Sequence, residues 1–362
     1  MNNALKSLIR QHYIDLQGYV SAGMEMNKSA DKLFMNANEN PYELPGLEEL
    51  NRYPEPQPAA LKEAYARAYG VEADWVIMTR GADEAIVILT KLFCEPHKDA
   101  ILICPPTFGM YGVNASSMPA QRFEVPLLKE QGSFTLDKDE IINQAKDNSK
   151  NIKLVYICSP NNPTGTSLSH ETIFEICEEL EGHAIVLLDE TYAEFSEQGS
   201  MCDDLEALPN LIILRTLSKS YALAGMRMGC FISADNDFTQ LVRSKCLDAY
   251  PLPRLSIEAA FHVLSPEISA IAKENIQTLI QERKRVETCL KDNKHITHIY
   301  PSDANFLLIE MEKAHEFWQY AQKHNIILRD FSSKVGTENC LRISISTPED
   351  NDKVLALFES FR

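Results

Sequence analysis

Short apolar runs, each followed by a polar turn, mark the first two thirds of this chain. Buried strands are predicted at residues 76–79, 100–104, 154–158, 185–189 and 211–214. Stretches between them, such as 59–69 and 171–180, are typical of helices. Because strands and helices alternate, the pattern predicts an α/β fold with a mainly parallel sheet.

The last quarter of the chain follows a different pattern. A stretch without Gly or Pro runs from residue 268 to 292 and predicts a long connecting helix. Strands are predicted near 305–310, 326–329 and 340–345, before a final helix that Thr347 can cap. We therefore expect a large domain over residues 31–267 and a smaller C-terminal α/β domain over residues 268–362.

Composition and charge limit the partners of this chain. With 362 residues, of which 44% are hydrophobic, it is long enough for one large or two ordinary domains. A net charge of −17 opposes nonspecific binding to nucleic acid or to an anionic membrane. No apolar run approaches membrane-spanning length, and the first 19 residues lack the core of a signal peptide.

The nine cysteines and nine histidines are dispersed along the chain. They form no CxxC pair and no Cys/His cluster, so no metal site is predicted. An odd number of scattered cysteines is typical of reduced thiols in a cytoplasmic protein. An anionic substrate of so acidic a chain needs a local arginine site, because the overall field does not attract it.

The candidate chemistry begins with Lys219, which follows the apolar run 211–214 among small residues with few other charges. A lysine in such a place can lose its proton and attack a carbonyl group. Arg227 comes eight residues later, after a glycine, and a guanidinium is suited to holding a phosphate. Taken alone, a Ser-Lys pair usually marks a surface lysine in a loop, but three further segments change that interpretation.

Asp189 ends the apolar run 185–189, at the carboxyl end where α/β sheets form their ligand crevice. A carboxylate there can pair with the protonated nitrogen of a pyridine ring and keep that ring an electron sink. Tyr192 follows three residues later, so its hydroxyl can reach the same ring. The alternative is an aspartate that only caps its strand.

Two turns complete the pattern. The string Ser-Pro-Asn-Asn-Pro-Thr-Gly at 159–165 follows an apolar run, and its prolines fix the asparagine donors in a set direction. Residues 75–84 indicate a strand, a glycine turn and a helix start, whose free N–H groups and positive dipole can cradle a phosphate. This second turn is a weak signal by itself, because acidic helix starts after a glycine are common.

These four segments, in this order, resemble the fold type I aminotransferases that depend on pyridoxal phosphate (PLP). The resemblance narrows to the histidinol-phosphate aminotransferases at residues 50–58, 94–96, 104–111 and 327–330. The runs Arg-Tyr-Pro-Glu and Pro-Pro-Thr-Phe-Gly-Met-Tyr carry most of that detail. The resemblance to the family extends from about Tyr19 to Ile345, which is nearly the whole chain.

The resemblance implies a role for several residues. Lys219 would form the Schiff base with PLP, Asp189 would pair with the ring nitrogen, and Phe108 would stack on the ring in place of the commoner tyrosine. The ring oxygen would be bonded by Asn162 and Tyr192. The cofactor phosphate would be held by Ala82, Asp83, Ser218, Arg227 and, from a partner subunit, Tyr53. The anionic group of the substrate would be held by Arg342, with Arg329 and Tyr19 assisting.

The resemblance also implies an activity and an assembly. Members of this family transfer the amino group of L-histidinol phosphate to 2-oxoglutarate, giving imidazole acetol phosphate and L-glutamate in histidine biosynthesis. The resemblance further implies a cytoplasmic homodimer. Its N-terminal arm, residues 1–30, would pack with the small domain and the partner subunit.

Other functions are compatible with parts of the pattern. An aromatic-amino-acid aminotransferase or a threonine-phosphate decarboxylase shares the same lysine, aspartate, asparagine and arginine set, so both stay open as alternatives. A PLP-sensing transcription regulator needs an added DNA-binding domain and a basic patch, for which this chain has neither room nor charge. A non-catalytic binding module is disfavoured, because every chemical group that catalysis needs is present.

Overall fold

The computed structural model describes residues 3–18 and 33–362 of the chain. Its helices are α1 (Asn3–Leu8), α2 (Gln11–Asp15), α3 (Ala59–Tyr69), α4 (Gly81–Phe93), α5 (Met110–Ser117), α6 (Lys138–Lys146), α7 (His170–Glu179), α8 (Asn236–Lys245), α9 (Arg254–Val263), α10 (Pro266–Leu290), α11 (Ala314–Lys323) and α12 (Pro348–Ser360). Its strands are β1 (Val76–Thr79), β2 (Ala100–Ile103), β3 (Gln121–Glu124), β4 (Leu128–Glu130), β5 (Ser133–Thr135), β6 (Ile152–Cys158), β7 (Ile185–Asp189), β8 (Leu211–Thr216), β9 (Gly229–Ile232), β10 (Ile296–Ile299), β11 (Phe306–Met311), β12 (Arg329–Asp330) and β13 (Cys340–Ser344). The predicted α/β fold is confirmed.

The main sheet has the strand order β1-β9-β8-β7-β6-β2-β3. Neighbours from β8 to β3 run parallel, whereas β9 is antiparallel to both β8 and β1. All five strands predicted from the apolar runs lie in this sheet, so the mainly parallel arrangement is also confirmed.

The central strands are apolar along their length because both faces of the sheet are covered. Alternate residues of β7 belong to two separate cores. Val186 and Leu188 lie in one core, and Ile185 and Leu187 lie in the other. Such a strand shows no alternation of polar and apolar residues, which is why a continuous apolar run predicts it.

The carboxyl ends of β6, β7 and β8 bring the candidate residues together. Cys158, the last residue of β6, lies beside Asp189, the last residue of β7, and Asp189 lies beside Leu214 of β8. The turns that follow these three strands carry Asn162, Tyr192 and Lys219. The sheet therefore gathers side chains that are far apart in the sequence at one edge.

A second sheet, of strand order β10-β11-β13-β12, lies in the C-terminal part and is antiparallel throughout. It has its own apolar core, to which Leu307 and Leu341 contribute. The predicted connecting helix is α10, and it begins two residues earlier than expected. Thr347 caps α12 as predicted, since its hydroxyl accepts a bond from the Asp350 amide at 3.3 Å. The domain boundary at residue 267 stays a prediction.

The described part of the N-terminal arm packs on the main sheet's helices, which differs from the expectation that it joins the C-terminal domain. Its apolar side chains share a core with Phe93 of α4 and Phe238 of α8. Arg10 strengthens this contact by donating to Glu95 at 2.7 Å. An amphipathic segment buries its apolar side on the surface it meets, and that surface here belongs to α4 and α8. Residues 19–30 of the arm lie outside the described residues.

The described residues hold no candidate for a membrane-spanning helix or a metal site. Over residues 3–18 and 33–362, no helix is both long and apolar enough to cross a membrane. The same ranges contain no group of three His, Cys, Asp or Glu side chains placed to hold a metal ion. All nine cysteines are free thiols, and all but Cys246 and Cys289 are buried, so most of them serve as small core side chains.

Candidate active site

Asp189 is a buried carboxylate, 3% exposed, at the end of β7. Its Oδ1 accepts bonds from the Thr191 amide at 3.1 Å and the Thr191 hydroxyl at 2.6 Å, and its Oδ2 accepts one from the Tyr111 hydroxyl at 2.7 Å. Burial raises the pKa of Asp189, and the bonds from Thr191 and Tyr111 oppose that rise because they favour the charged form. The carboxylate is thus held in one orientation, as pairing with a ring nitrogen requires.

Lys219 lies in the turn after β8, with its amine 5.9 Å from the centre of the Tyr192 ring. Partial burial lowers the pKa of Lys219, and the positive charge of Arg342 lowers it further. The carboxylates of Asp83 and Asp189 act in the opposite direction. A lysine whose pKa is lowered keeps a larger fraction of neutral, nucleophilic amine at neutral pH.

The N-terminus of α4 forms a turn suited to an anion. Arg80, which precedes the helix, gives no side-chain cap to the first-turn N–H groups. Gly81 has a φ of +75°, and a Cβ atom there would lie 2.8 Å from Nη2 of Arg227. The positive φ favours glycine, and a side chain at this position would displace the Arg227 guanidinium from the turn. Arg227 also pairs with Asp83 at 3.0 Å, with both side chains about half exposed.

Ser218 and Ala82 lie at the same turn. The hydroxyl of Ser218 is 2.9 Å from Oγ1 of Thr216, which is itself 3.2 Å from the carbonyl of Met228, the neighbour of Arg227. A Cβ atom at Gly229 would lie 2.9 Å from the amide nitrogen of Ala82. The turn after β8, the start of β9 and the start of α4 thus meet at one place.

Asn162, Tyr192 and Arg342 form a connected line across the site. Nδ2 of Asn162 lies 3.5 Å from the Tyr192 hydroxyl, a long bond, and its Oδ1 accepts a bond from Nη1 of Arg342. Burial raises the pKa of Tyr192, so its hydroxyl stays protonated and can donate. The Tyr192 ring packs edge-to-face on Phe306 of β11, with ring centres 5.3 Å apart. This line joins the main sheet to the second sheet.

Two arginines lie opposite each other on neighbouring strands of the second sheet. Arg329 of β12 lies directly opposite Arg342 of β13, and like charges in that position destabilise a strand pair. The Arg342 guanidinium lies 5.1 Å from the ring centre of Phe306 and 5.5 Å from that of Phe331. Burial lowers the pKa of Arg342, and no carboxylate in the described parts of the chain is among the groups that act on it. An anion bound here would meet an uncompensated positive charge.

Of the remaining predicted residues, the structure describes Phe108 and Tyr53. Phe108 is half-buried, and it packs edge-to-face on Tyr111 with ring centres 5.6 Å apart. Tyr53 is 49% exposed and stacks on Tyr250 at a ring-centre distance of 4.0 Å. Tyr19 lies outside the described residues.

Sequence analysis missed Tyr111 and Thr191, which hold the two oxygens of Asp189. Thr191 had a signal, because an aspartate that bonds the amide two residues later forms a known turn. Tyr111 had none, since it precedes Asp189 by 78 positions and reaches it only through the fold.

Sequence analysis also did not predict a buried ion cluster around Arg215. Arg215 of β8 bonds Glu190 and Glu194 at 2.7 Å each, and its guanidinium lies 4.4 Å from the ring centre of Tyr69. Glu190 directly follows Asp189, and Arg215 lies in β8 shortly before Lys219. The cluster therefore links the ends of β7 and β8, which carry the site. Removing one member would leave an uncompensated buried charge.

These groups fit pyridoxal phosphate. At Gly81 the Arg227 guanidinium lies beside the start of α4, where no side chain caps the first-turn N–H groups, and both kinds of group bind phosphate. The Asp189 carboxylate suits a protonated ring nitrogen, and the Asn162–Tyr192 pair suits the ring oxygen. Lys219 supplies an amine between these places. Each polar part of the cofactor thus has a group of matching chemistry.

Comparison with known proteins agrees with this fit. A family model described as aminotransferase class I and II matches residues 33–358. Histidinol-phosphate aminotransferase 2 of Idiomarina loihiensis is 38% identical, over 99% of this chain and 99% of that protein. Histidinol-phosphate aminotransferase 1 of Haemophilus influenzae is 38% identical, over 97% of each chain.

A solved structure shares the fold. The crystal structure of histidinol-phosphate aminotransferase from Sinorhizobium meliloti, in complex with pyridoxal 5'-phosphate, has a TM-score of 0.75 against this chain. The identity is 22%, and the match covers 86% of this chain and 84% of the other. The family match spans both sheets and every described site residue. The chain therefore belongs to the class I and II aminotransferase family, and it is a pyridoxal-phosphate-dependent aminotransferase.

Proposed function

We propose that this enzyme transfers the amino group of L-histidinol phosphate to 2-oxoglutarate, giving imidazole acetol phosphate and L-glutamate in histidine biosynthesis. The proposal is supported by nearly full-length similarity to relatives that carry the name histidinol-phosphate aminotransferase. Histidinol phosphate carries a phosphate and no α-carboxylate, whereas glutamate carries carboxylates. One guanidinium site can bind both, because its planar fork matches either anion.

The groups around Arg342 give the proposal its main structural support. Its guanidinium lies 5.1 and 5.5 Å from the centres of two aromatic rings and donates to the neutral Asn162, and Arg329 is its opposite residue on the neighbouring strand. A cation partly removed from water, with a second cation beside it, favours an incoming anion strongly. Arg329 assists from the open side, and we assign a supporting role to Tyr19 by resemblance.

Asp189 and Lys219 would act on protons. When bound, pyridoxal phosphate supplies the electron sink for the electrons left behind as the substrate carbon loses its proton. Asp189 holds a proton on the ring nitrogen, because its carboxylate is buried and fixed by three donors. Lys219 would accept the proton from the substrate carbon and pass it to a carbon of the cofactor, and its lowered pKa suits the acceptance of that proton.

The remaining groups would bind and orient. Asn162 and Tyr192 donate toward the ring oxygen, and Phe108 covers one face of the ring. The phosphate is held by a set of groups at the start of α4 and after β8: the Ala82 and Asp83 amides, the Ser218 hydroxyl and Arg227. Fixed in this way, the reacting carbon stays within reach of the Lys219 amine.

We place the enzyme in the cytoplasm as a homodimer in which Tyr53 of one chain reaches the phosphate site of the other. The segment around Tyr53 exposes large apolar side chains, with Leu33 at 83%, Met35 at 83% and Tyr42 at 80% exposure. Such a patch is typical of an interface, which supports a shared site. The free thiols support a reducing compartment.

An aromatic-amino-acid aminotransferase or a threonine-phosphate decarboxylase is less supported, because the near full-length relatives carry neither name. A coupled assay of the holoenzyme with 2-oxoglutarate separates the three reactions. We expect glutamate formation with L-histidinol phosphate to have a higher kcat/KM than with L-phenylalanine, which carries a carboxylate but no phosphate. A preference for phenylalanine, or release of carbon dioxide from L-threonine phosphate as the main reaction, would contradict the proposal.

A further inference from the structure

Tyr111 is a buried residue to which the proposed reaction gives no role. It is the second residue of α5 and is 0% exposed. Its ring stacks on that of Tyr156 in β6, with ring centres 4.7 Å apart and an angle of 16° between the planes. Phe108 forms an edge-to-face contact with the same ring, with ring centres 5.6 Å apart. The ring is therefore fixed on two sides, and its hydroxyl has a set direction.

The hydroxyl of Tyr111 donates to Oδ2 of Asp189 at 2.7 Å. The other oxygen, Oδ1, is already occupied by Thr191. Burial and the nearby charge of Asp189 raise the pKa of Tyr111, so the hydroxyl keeps its proton and remains a donor. Asp189 thus receives donors on both oxygens from two elements that are distant in the sequence.

We propose that Tyr111 is a positioning residue that keeps Asp189 ionised and turned toward the ring nitrogen of pyridoxal phosphate. The inference rests on the proposed pairing of Asp189 with that nitrogen. A donor to a carboxylate favours the charged form, whereas burial favours the acid. Without Tyr111, Asp189 would take up a proton at higher pH and would be free to turn about its remaining bonds.

Several other ionisable groups face Asp189 from the elements packed around it. They are Asp83 of α4, Cys158 of β6, Tyr192 after β7 and Lys219 after β8. The carboxylate's hydrogen bonds within the described parts of the chain come from Tyr111 and Thr191 instead. Tyr111 is therefore the ionisable neighbour whose removal acts on Asp189 through a direct bond.

The chain offers a matched control in Tyr156. It is also 0% exposed, it stacks on the same ring, and its hydroxyl forms a 2.7 Å bond with Thr90. Thr90 keeps a bond to the Ile86 carbonyl when that hydroxyl is removed. Tyr111→Phe and Tyr156→Phe therefore each remove one hydroxyl group from the same pair of stacked rings. Only the first of these hydroxyls donates to Asp189.

The test measures cofactor affinity across pH. Cofactor-free preparations of the parent and both variants are titrated with pyridoxal phosphate and with its 1-deaza analogue, in which a C–H group replaces the ring nitrogen. We expect the affinity of Tyr111→Phe for pyridoxal phosphate to fall off at higher pH than that of the parent. The difference should reach roughly tenfold on the acidic side, the worth of one bond to a charged group. Tyr156→Phe should follow the parent, and the deaza analogue should show no such shift in any of the three proteins.

Three outcomes would overturn the inference. They are an equal shift with both cofactors, a pH dependence of Tyr111→Phe that matches Tyr156→Phe, and a shift toward lower pH. If Tyr111→Phe does not fold, Thr191→Val removes the hydroxyl bond on the other oxygen and should shift the pH dependence in the same direction. Failure to do so would equally overturn the account of Asp189 as a carboxylate controlled by its donors.

The same titration separates this inference from the proposed function. No amino substrate is present, so a failure of histidinol phosphate as a substrate leaves the result for Tyr111 unaffected. If Asp189→Asn still distinguishes pyridoxal phosphate from the deaza analogue as the parent does, the pairing of Asp189 with the ring nitrogen is wrong, and the role of Tyr111 fails with it.

Discussion

The ring end of the site, around Asp189, and the anion end, around Arg342, differ in how the protein treats the charge of each. Asp189 is 3% exposed and has three donors on its two oxygens. Arg342 contacts two aromatic rings and a neutral amide, and it faces a second cation. The ring end is complete before any ligand binds, as suits a cofactor that stays in place. The anion end becomes balanced only when an anion arrives, so one site can take a phosphate and then a carboxylate.

The largest effect in this comparison is expected at Lys219, which lies between the two ends. Lys219→Ala removes the amine that moves the proton, so transamination should fall by several orders of magnitude. The variant should still bind pyridoxal phosphate, because the phosphate and ring contacts remain. In the parent, borohydride reduction and peptide mapping should find the cofactor on Lys219. Labelling of another lysine would contradict the assignment.

A somewhat smaller loss is expected at the ring end. Asp189→Asn keeps the shape of the side chain but removes the charge that holds a proton on the ring nitrogen. Single-turnover measurements should show proton abstraction slowed by orders of magnitude, roughly 10²-fold or more. An unchanged rate would mean that Asp189 only caps its strand. Thermal unfolding of the cofactor-free variant serves as the control for stability.

A moderate effect is expected at the anion end. Arg342→Ala should weaken both half-reactions about ten- to a hundredfold, since each charge-assisted bond is worth about 1.5–3 kcal/mol. Arg285→Ala serves as the control, because that arginine pairs with Glu282 and Asp352 in the C-terminal part and is not one of the site residues. Loss of only one half-reaction would show that the two anions use different sites.

The smallest effect concerns the coupling of the two ends. Burial is the largest cause of the lowered pKa of Lys219, and the positive charge of Arg342 is the second largest. Removing it in Arg342→Ala should raise that pKa, so the neutral amine should appear at higher pH than in the parent. An amine-reactive reagent applied to cofactor-free protein, with Lys219 labelling followed across pH, measures this directly. An unchanged profile would show that the charge does not reach Lys219.

The ring end could be predicted from the sequence because it follows from local patterns. The apolar runs ending at Asp189 and before Lys219 are strands of a parallel sheet, and the carboxyl ends of such strands meet at one edge. Placing both residues together needed only that rule. Their separate roles were inferred from the chemistry of the two side chains, the resemblance to a family then agreed with them, and they stay predictions.

Other parts could not be predicted because they depend on how distant elements meet. The opposition of Arg329 and Arg342 is a matter of strand register, which the short β12 does not reveal. The bond from Tyr111 to Asp189 depends on how α5 packs against β6 and β7. The arm was expected on the C-terminal domain, yet its apolar residues fit a surface formed by α4 and α8.

We expect the uncompensated Arg342 site to select a phosphate-bearing amine for the PLP-dependent transamination. The most direct measurement compares kcat/KM of the parent for L-histidinol phosphate and for L-histidinol, with the same comparison for Arg342→Ala. The account predicts that the parent prefers the phosphorylated substrate by roughly ten- to a hundredfold and that the variant loses most of this preference. Equal turnover of both substrates by the parent, or an undiminished preference in Arg342→Ala, would contradict it.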